Sequence, residues 1–209
     1  MLGNVVEQKN KGRRKSRKSN GDRKKNELSI TNHKITEFFP VRRSNRKSAK
    51  EVEKEKLDEL AKLIYTAGNE KYLGVHYFPE KGRGILSLKR FARNEFVVEY
   101  KGDLLDYNTA KRREQEYSRN AEVGSYMYFF KRNGQRYCID ATEETPYKGR
   151  LINHSILRPN LKTKVVELPN SFHLVLVAKR DIEIDEELLY DYGDRTPLTV
   201  SKNPWLLNS

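Results

Sequence analysis

The chain has 209 residues, 36% hydrophobic and 34% charged, which is room for one globular domain of ordinary size and a substantial tail. Its net charge of +13 is unevenly placed: residues 1–50 hold 16 Lys/Arg against 4 Asp/Glu, and the rest of the chain holds 26 against 25. A single cysteine, Cys138, excludes a disulfide framework or thiolate zinc cluster built within the chain, and no apolar run reaches the length of a signal-peptide core or a membrane span, so a soluble protein of a reducing, intracellular compartment is expected.

In chain order, residues 1–50 form the basic tail. Lys11 to Lys18 reads Lys-Gly-Arg-Arg-Lys-Ser-Arg-Lys, and large apolar residues are too few to offset the entropy of ordering, which predicts a disordered segment drawn to polyanions such as DNA and chromatin. Leu57, Leu60, Ala61 and Ile64 recur at i, i+3, i+4 and i+7, predicting a helix over Glu51 to Ala67 with Gly68 as its stop, inside a flanking segment at 51–69. From Tyr72 the pattern changes to short β-rich runs: Gly84 to Leu88, Glu95 to Leu105, Tyr126 to Lys131, Arg136 to Ile139 and Phe172 to Ala178. Asn133-Gly134 between two of them predicts a hairpin turn. A second helix is expected at about Thr109 to Arg119, capped by Asn108 or Thr109. The fold class is therefore mainly β with short helices, the domain running over 70–196 and followed by a flanking segment at 197–209.

Tyrosine is the residue type that points to chemistry. There are twelve; Tyr100, Tyr190 and Tyr192 fall in, and Tyr126 and Tyr128 between, four distinctive segments: Glu80-Lys81-Gly82-Arg83-Gly84, Phe96 to Asp103, Gly149-Arg150-Leu151-Ile152-Asn153-His154-Ser155, and Glu186 to Asp194. Phenol rings can line an apolar channel while their hydroxyls orient an amine or a water. Read without context, Tyr128, Phe129 and Phe130 are strand core, Tyr190 and Tyr192 are alternate positions of a buried strand, and Lys81 to Gly84 is a turn whose glycines admit positive φ. The other histidines, His33, His76 and His173, show no ligand spacing around His154, so no metal is expected.

In their order and spacing the four segments resemble the SET-domain protein-lysine methyltransferases, and from about Ile35 to the C-terminus the resemblance is to the branch that monomethylates lysine 20 of histone H4. The resemblance implies a fold of small sheets in which the C-terminal segment threads beneath the Asn153-His154 loop as a pseudoknot, an exception to the rule against threading. It implies S-adenosylmethionine as cofactor, contacted by Lys81, Gly82, Arg83, Tyr126, Asn153 and His154, the basic residues pairing with its carboxylate and the asparagine acting through its side chain. Tyr192 is placed nearest the reacting centre, Tyr190 where product multiplicity is set by retaining a water, and Tyr100 where it hydrogen-bonds the amine. A chain with one cysteine cannot close its pocket with a cysteine-rich zinc module, so Asn203-Pro204-Trp205-Leu206 is the expected lid, with Trp205 stacked on adenine. Asp191, Asp194, Glu143 and Glu144 are candidates to receive a basic peptide.

Lys34-Ile35-Thr36-Glu37-Phe38-Phe39-Pro40-Val41-Arg42-Arg43 is an apolar island in the tail, with Ile35, Phe38 and Phe39 spaced as anchors on one helical turn. The stretch at 32–43 is similar to a sliding-clamp binding box, with Asn32 in place of the usual glutamine, and to its variant that recruits a ubiquitin ligase, with Glu37 in place of the usual aspartate. Arg42, Arg43, Arg46 and Lys47 are expected to grip nucleosomal DNA or the acidic face of the histone core. The sequence thus points to a nuclear, chromosomal enzyme acting as a monomer on the histone H4 tail; the competing readings are a catalytically silent chromatin- and clamp-binding module, and a lysine methyltransferase for non-histone proteins.

Overall fold

The computed structural model describes residues 46–120, 124, 126–193, 200, 201 and 204–207, without the side chain of residue 205. The chain divides into two units, Met1–Arg46 and Lys47–Ser209. The island at 32–43, with Ile35, Phe38, Phe39, Arg42 and Arg43, lies outside the described residues, as do Asp194, Asn203 and the Trp205 ring.

Helix α1 spans Ala49–Tyr65, beginning two residues before the expected start. Ser48 and Glu51 form a reciprocal capping box, the Glu51 carboxylate accepting from the Ser48 N–H at 2.7 Å. The stop differs from expectation: Ala67, at φ +50°, is the left-handed residue, and the Gly68 N–H then closes onto the Leu63 carbonyl at 3.0 Å. Leu57, assigned to the buried stripe, is exposed, because only the last turns of α1 pack: Ile64 is buried, with Leu60, Ala61 and Leu63 against Phe96, Val166, Val175 and Val177. A polar chain fixes the end of α1, running from the Tyr65 hydroxyl to Ser171 Oγ (3.2 Å), on to His173 Nε2 (2.8 Å) and from His173 Nδ1 to Glu99 (2.6 Å).

Strands β1 (Leu73–Phe78) and β2 (Gly82–Ser87) form an antiparallel hairpin. The run expected as one strand over Glu95 to Leu105 is two, β3 (Phe96–Glu99) and β4 (Asp103–Asp106), which belong to different sheets. The break falls where a Cβ on Gly102 would stand 2.3 Å from the Asp140 carbonyl oxygen, so only glycine lets the chain cross there. Helix α2 spans Tyr107–Tyr117 and is capped by Asp106, not Asn108 or Thr109: its carboxylate accepts from the Asn108 and Thr109 N–H groups at 2.9 and 3.1 Å.

Strands β5 (Met127–Arg132) and β6 (Gln135–Asp140) form the expected hairpin, with Asn133 and Gly134 at φ +49° and +79°. Strands β7 (Asn153–His154), β8 (Leu161–Leu168), β9 (Ser171–Ala178) and β10 (Leu189–Tyr190) follow. Three-stranded sheets β3-β9-β8 and β4-β6-β5 enclose the main core, in which Ile85, Val97, Ile152, Leu176 and Leu188 are sealed from solvent. The parallel pair β7·β10 sets Asn153 opposite Leu189 and His154 opposite Tyr190, bringing two distant segments to one place.

Candidate active site

The pairing of β7 with β10 and the packing of β3 against β9 gather the tyrosines. Tyr100 leaves β3 with its N–H bonded to the Leu174 carbonyl at 2.8 Å, and its ring is 4% exposed. Ring centroids lie 6.4 Å apart for Tyr100 and Tyr190, 4.8 Å for Tyr190 and Tyr192, 5.8 Å for Tyr100 and Tyr128, and 6.0 Å for Tyr128 and Tyr190. Tyr128, which read as plain strand core in the sequence, is thus one of four rings in a single cluster.

Three of the four hydroxyls have hydrogen-bond partners outside the ring cluster. The Tyr100 hydroxyl donates to the Tyr126 carbonyl at 2.9 Å, the Tyr192 hydroxyl to the Ile152 carbonyl at 3.0 Å, and Tyr128 shares a bond with Thr163 Oγ1 at 3.0 Å. Burial pushes the phenols of Tyr100, Tyr190 and Tyr192 well above their ordinary range, with neighbouring tyrosines adding to it. The cluster is therefore a set of neutral rings whose oxygens keep lone pairs to accept from an N–H donor. Tyr126 stands beside this cluster, its ring under the Arg150 guanidinium at 3.8 Å.

His154 is structural in its connections. Its Nδ1 accepts from the Tyr192 N–H at 3.0 Å, so its Nε2 carries the proton and donates to the Leu206 carbonyl at 3.0 Å. One buried imidazole thereby joins β7, the segment after β10 and the C-terminal turn Pro204–Leu207.

Asn153, Lys81 and Glu187 form a second group: Glu187 accepts from Asn153 Nδ2 at 3.1 Å and from Lys81 Nζ at 3.0 Å. Gly84 is the close-approach glycine of its segment, since a Cβ there would stand 2.4 Å from Asn153 Nδ2, whereas Gly82, at φ +75° with open space around it, serves the turn. Arg83 grips Glu144 through two bonds of 2.8 and 3.1 Å, and Arg150 reaches the same carboxylate at 2.6 Å, which holds Glu144 down at about 2. Glu144 is thus occupied by two arginines rather than offered to a peptide, while Glu143 is exposed and Asp191 caps the Gly193 N–H at 2.9 Å.

The SET-domain pattern matches residues 82–193. The histone-lysine N-methyltransferase set-1 of Caenorhabditis elegans is 56% identical over 180 residues, covering 86% of this chain and 74% of its own. The N-lysine methyltransferase KMT5A-A of Xenopus laevis is 49% identical over 177 residues, covering 85% of this chain and 52% of its own length. The chain belongs to the SET-domain protein-lysine methyltransferase family. A crystal structure titled CpSET8 from Cryptosporidium shares its fold with a TM-score of 0.55 and 45% identity, over 60% of this chain and 59% of that one. The chain spans about half of the frog relative, and a quarter of the Drosophila melanogaster histone-lysine N-methyltransferase Set8, 49% identical over 84% of this chain and 25% of the fly protein.

Within this SET domain, residues beyond those expected hold the site together. Asn160, 1% exposed, accepts from the Leu189 N–H at 2.8 Å, donates to the Glu187 carbonyl at 2.7 Å and to the Glu186 carboxylate at 2.8 Å, and gives its own N–H to the Leu189 carbonyl at 3.0 Å. It staples strand β10 and the residues just before it. Arg150, likewise buried, donates to the Ala141 and Thr142 carbonyls at 2.6 and 3.2 Å while covering Tyr126. Pro159-Asn160 reads as a turn and Glu187 as the end of the acidic run Asp185-Glu186-Glu187, so neither carried a signal of its own.

Proposed function

We propose that this methyltransferase transfers one methyl group from S-adenosylmethionine to lysine 20 of the histone H4 tail on nucleosomes, in the nucleus and on chromosomes, serving chromatin regulation in the cell cycle and genome maintenance. The observation that carries the reading is the cluster of four neutral tyrosine rings, in which the Tyr100 and Tyr192 hydroxyls give their protons to backbone carbonyls and keep lone pairs free to accept. The names of the relatives, histone-lysine and N-lysine methyltransferases, support the same substrate class.

Bound S-adenosylmethionine supplies an electrophilic methyl group on a sulfonium sulfur. The residues that would hold it are Lys81, Gly82, Arg83, Tyr126, Asn153 and His154, with Trp205 over the adenine and the segment 197–209 as cover. The donor set fits: Lys81 and Arg83 already bind carboxylates, and Asn153 presents an amide fixed by Glu187. The chain's part in the reaction is desolvation and aim. A lysine amine with an ordinary pKa of about 10.4 must enter uncharged, and neutral phenols walling a water-poor channel offer no anion to stabilise the ammonium. The oxygen of Tyr100 accepts an amine N–H and Tyr192 lies nearest the transfer, so the nitrogen lone pair is left to face the methyl at about 3–3.5 Å. Tyr190 retains a water in the space a second methyl would need.

The basic tail is assigned to DNA, Ile35, Phe38 and Phe39 to a sliding clamp and through it a ubiquitin ligase, and Arg42, Arg43 and Arg46 to the nucleosome. Purified protein is incubated with labelled cofactor, nucleosomes and a peptide panel, and products are scored by mass spectrometry. Monomethylation of histone H4 at lysine 20 is expected. Transfer to other proteins only would reassign the substrate, and no transfer at all would leave the silent module. Clamp binding that survives Phe38→Ala with Phe39→Ala, or nucleosome affinity flat from low to moderate salt, would refute the tail assignments.

A further inference from the structure

Strand β5 meets the other three-stranded sheet along a seam in which its alternate residues Tyr128, Phe130 and Arg132 reach Thr163 of β8, Phe172 of β9 and Glu167 of β8. Arg132 donates to Glu167 at 2.9 Å, Phe130 packs on Phe172 at 6.2 Å, and at the end nearest the tyrosine cluster Tyr128 bonds Thr163 at 3.0 Å. The Tyr128 ring is the one member of the cluster whose hydroxyl is tied to a side chain of another sheet. Tyr100 and Tyr192 are tied to backbone carbonyls, which no substitution at the accepting residue removes. The position of this wall therefore depends on a replaceable hydroxyl.

We infer that Thr163 is a positioning residue: by holding Tyr128 against Tyr100 and Tyr190 it fixes the width of the lysine channel and limits transfer to a single methyl. The inference rests on the function proposed above and adds a determinant of specificity to it. The contacts of Tyr128 with Tyr100 and Tyr190 are tilted, at 5.8 and 6.0 Å, with interplanar angles of 51° and 45°. Such contacts leave the ring free to pivot once its far end is released. Arg132–Glu167 and Phe130–Phe172 keep the rest of the seam closed, so the release is local. A pivot of the ring toward the seam opens space beside Tyr190, where a monomethylated amine has to turn before it can accept again.

The test compares wild type, Thr163→Val, Thr163→Ser, Tyr128→Phe and the double variant Tyr128→Phe/Thr163→Val, all as full chains with nucleosomes. Mono- and dimethyl products are resolved by mass spectrometry, and kcat and KM are measured for each methyl transfer. Thr163→Val removes the hydroxyl at nearly constant shape and Thr163→Ser keeps it. Thr163→Val and Tyr128→Phe are each expected to raise kcat/KM for the second methyl by about five- to tenfold, the factor one ordinary hydrogen bond supplies. Thr163→Ser should restore the single-methyl product, and the double variant should exceed neither single one, since both break the same bond. Thermal melting of each variant separates loss of fold from change of product. If wild type monomethylates while Thr163→Val and Tyr128→Phe stay strictly monomethyl, or if Thr163→Ser behaves like Thr163→Val, the inference is wrong and the proposed function stands. A wild type that transfers no methyl overturns both.

Discussion

Replacing Asn160 by alanine should cost heavily in stability, because this buried side chain holds strand β10 in place. Its carboxamide satisfies the Leu189 N–H at 2.8 Å and the Glu187 carbonyl at 2.7 Å, in a position only 1% exposed. Asn160→Ala strands both backbone groups, and an unsatisfied buried group costs about 1–3 kcal/mol, so the loss is about 4 kcal/mol. For a folded unit of this size the melting midpoint moves by about 2–4 °C per kcal/mol, which predicts a fall of roughly 8–16 °C by scanning calorimetry. Asn160→Asp keeps an acceptor for the Leu189 N–H but places a carboxylate against the Glu187 carbonyl and the Glu186 carboxylate, so it should be no milder near neutral pH. Activity should fall with stability, since the strand that Asn160 holds carries Tyr190. A midpoint within about 2 °C of wild type would refute the assignment of Asn160 as the staple.

Three further outcomes are open to measurement. Tyr190→Phe removes the hydroxyl proposed to retain a water, and dimethylated product should follow; a product that remains purely monomethyl would show that multiplicity is set elsewhere. Ala67 sits at φ +50°, so Ala67→Gly should stabilise the end of α1 by about 1 kcal/mol, and unchanged denaturant midpoints would contradict that. The acid limb of stability should depend on Asp140: burial raises its carboxyl, but hydrogen bonds from Thr142, Arg113 and Tyr117 outweigh burial and leave it below its ordinary value. A depressed carboxyl contributes stability that is complete above the unfolded value of about 3.9 and is lost as pH falls through the lower folded value. Wild type should therefore lose midpoint below about pH 4 and Asp140→Asn should lose less over the same range, a difference whose absence would sink the point.

What the sequence disclosed was local. Asn133-Gly134 announced its hairpin because the turn needs two left-handed residues in a row, and the buried end of α1 followed from Leu60, Ala61 and Ile64. Its exposed start did not, since Leu57 obeys the periodicity but reaches beyond the sheet that covers the last turns. The break at Gly102 was hidden because apolar residues continue on both sides of it, and only the approach of the Asp140 carbonyl explains it. Strand β1 escaped notice because its burial does not alternate, with Val75, His76 and Tyr77 all exposed. At the site, Tyr100, Tyr190 and Tyr192 were legible through their motifs, and the structure brings them together. Tyr128 and Thr163 were not, because their bond spans 35 residues and joins two sheets whose pairing no local pattern specifies. The same holds for Asn160, whose partners lie 26 to 29 residues away.

The most direct test of the account is a crystal structure of this chain with a lysine peptide and the demethylated cofactor. The lysine nitrogen should lie inside the ring cluster of Tyr100, Tyr128, Tyr190 and Tyr192, with an N–H directed at the Tyr100 oxygen and its free direction toward the cofactor sulfur. A lysine side chain resting outside those rings, or reaching them still hydrated and paired with a carboxylate, would contradict the account.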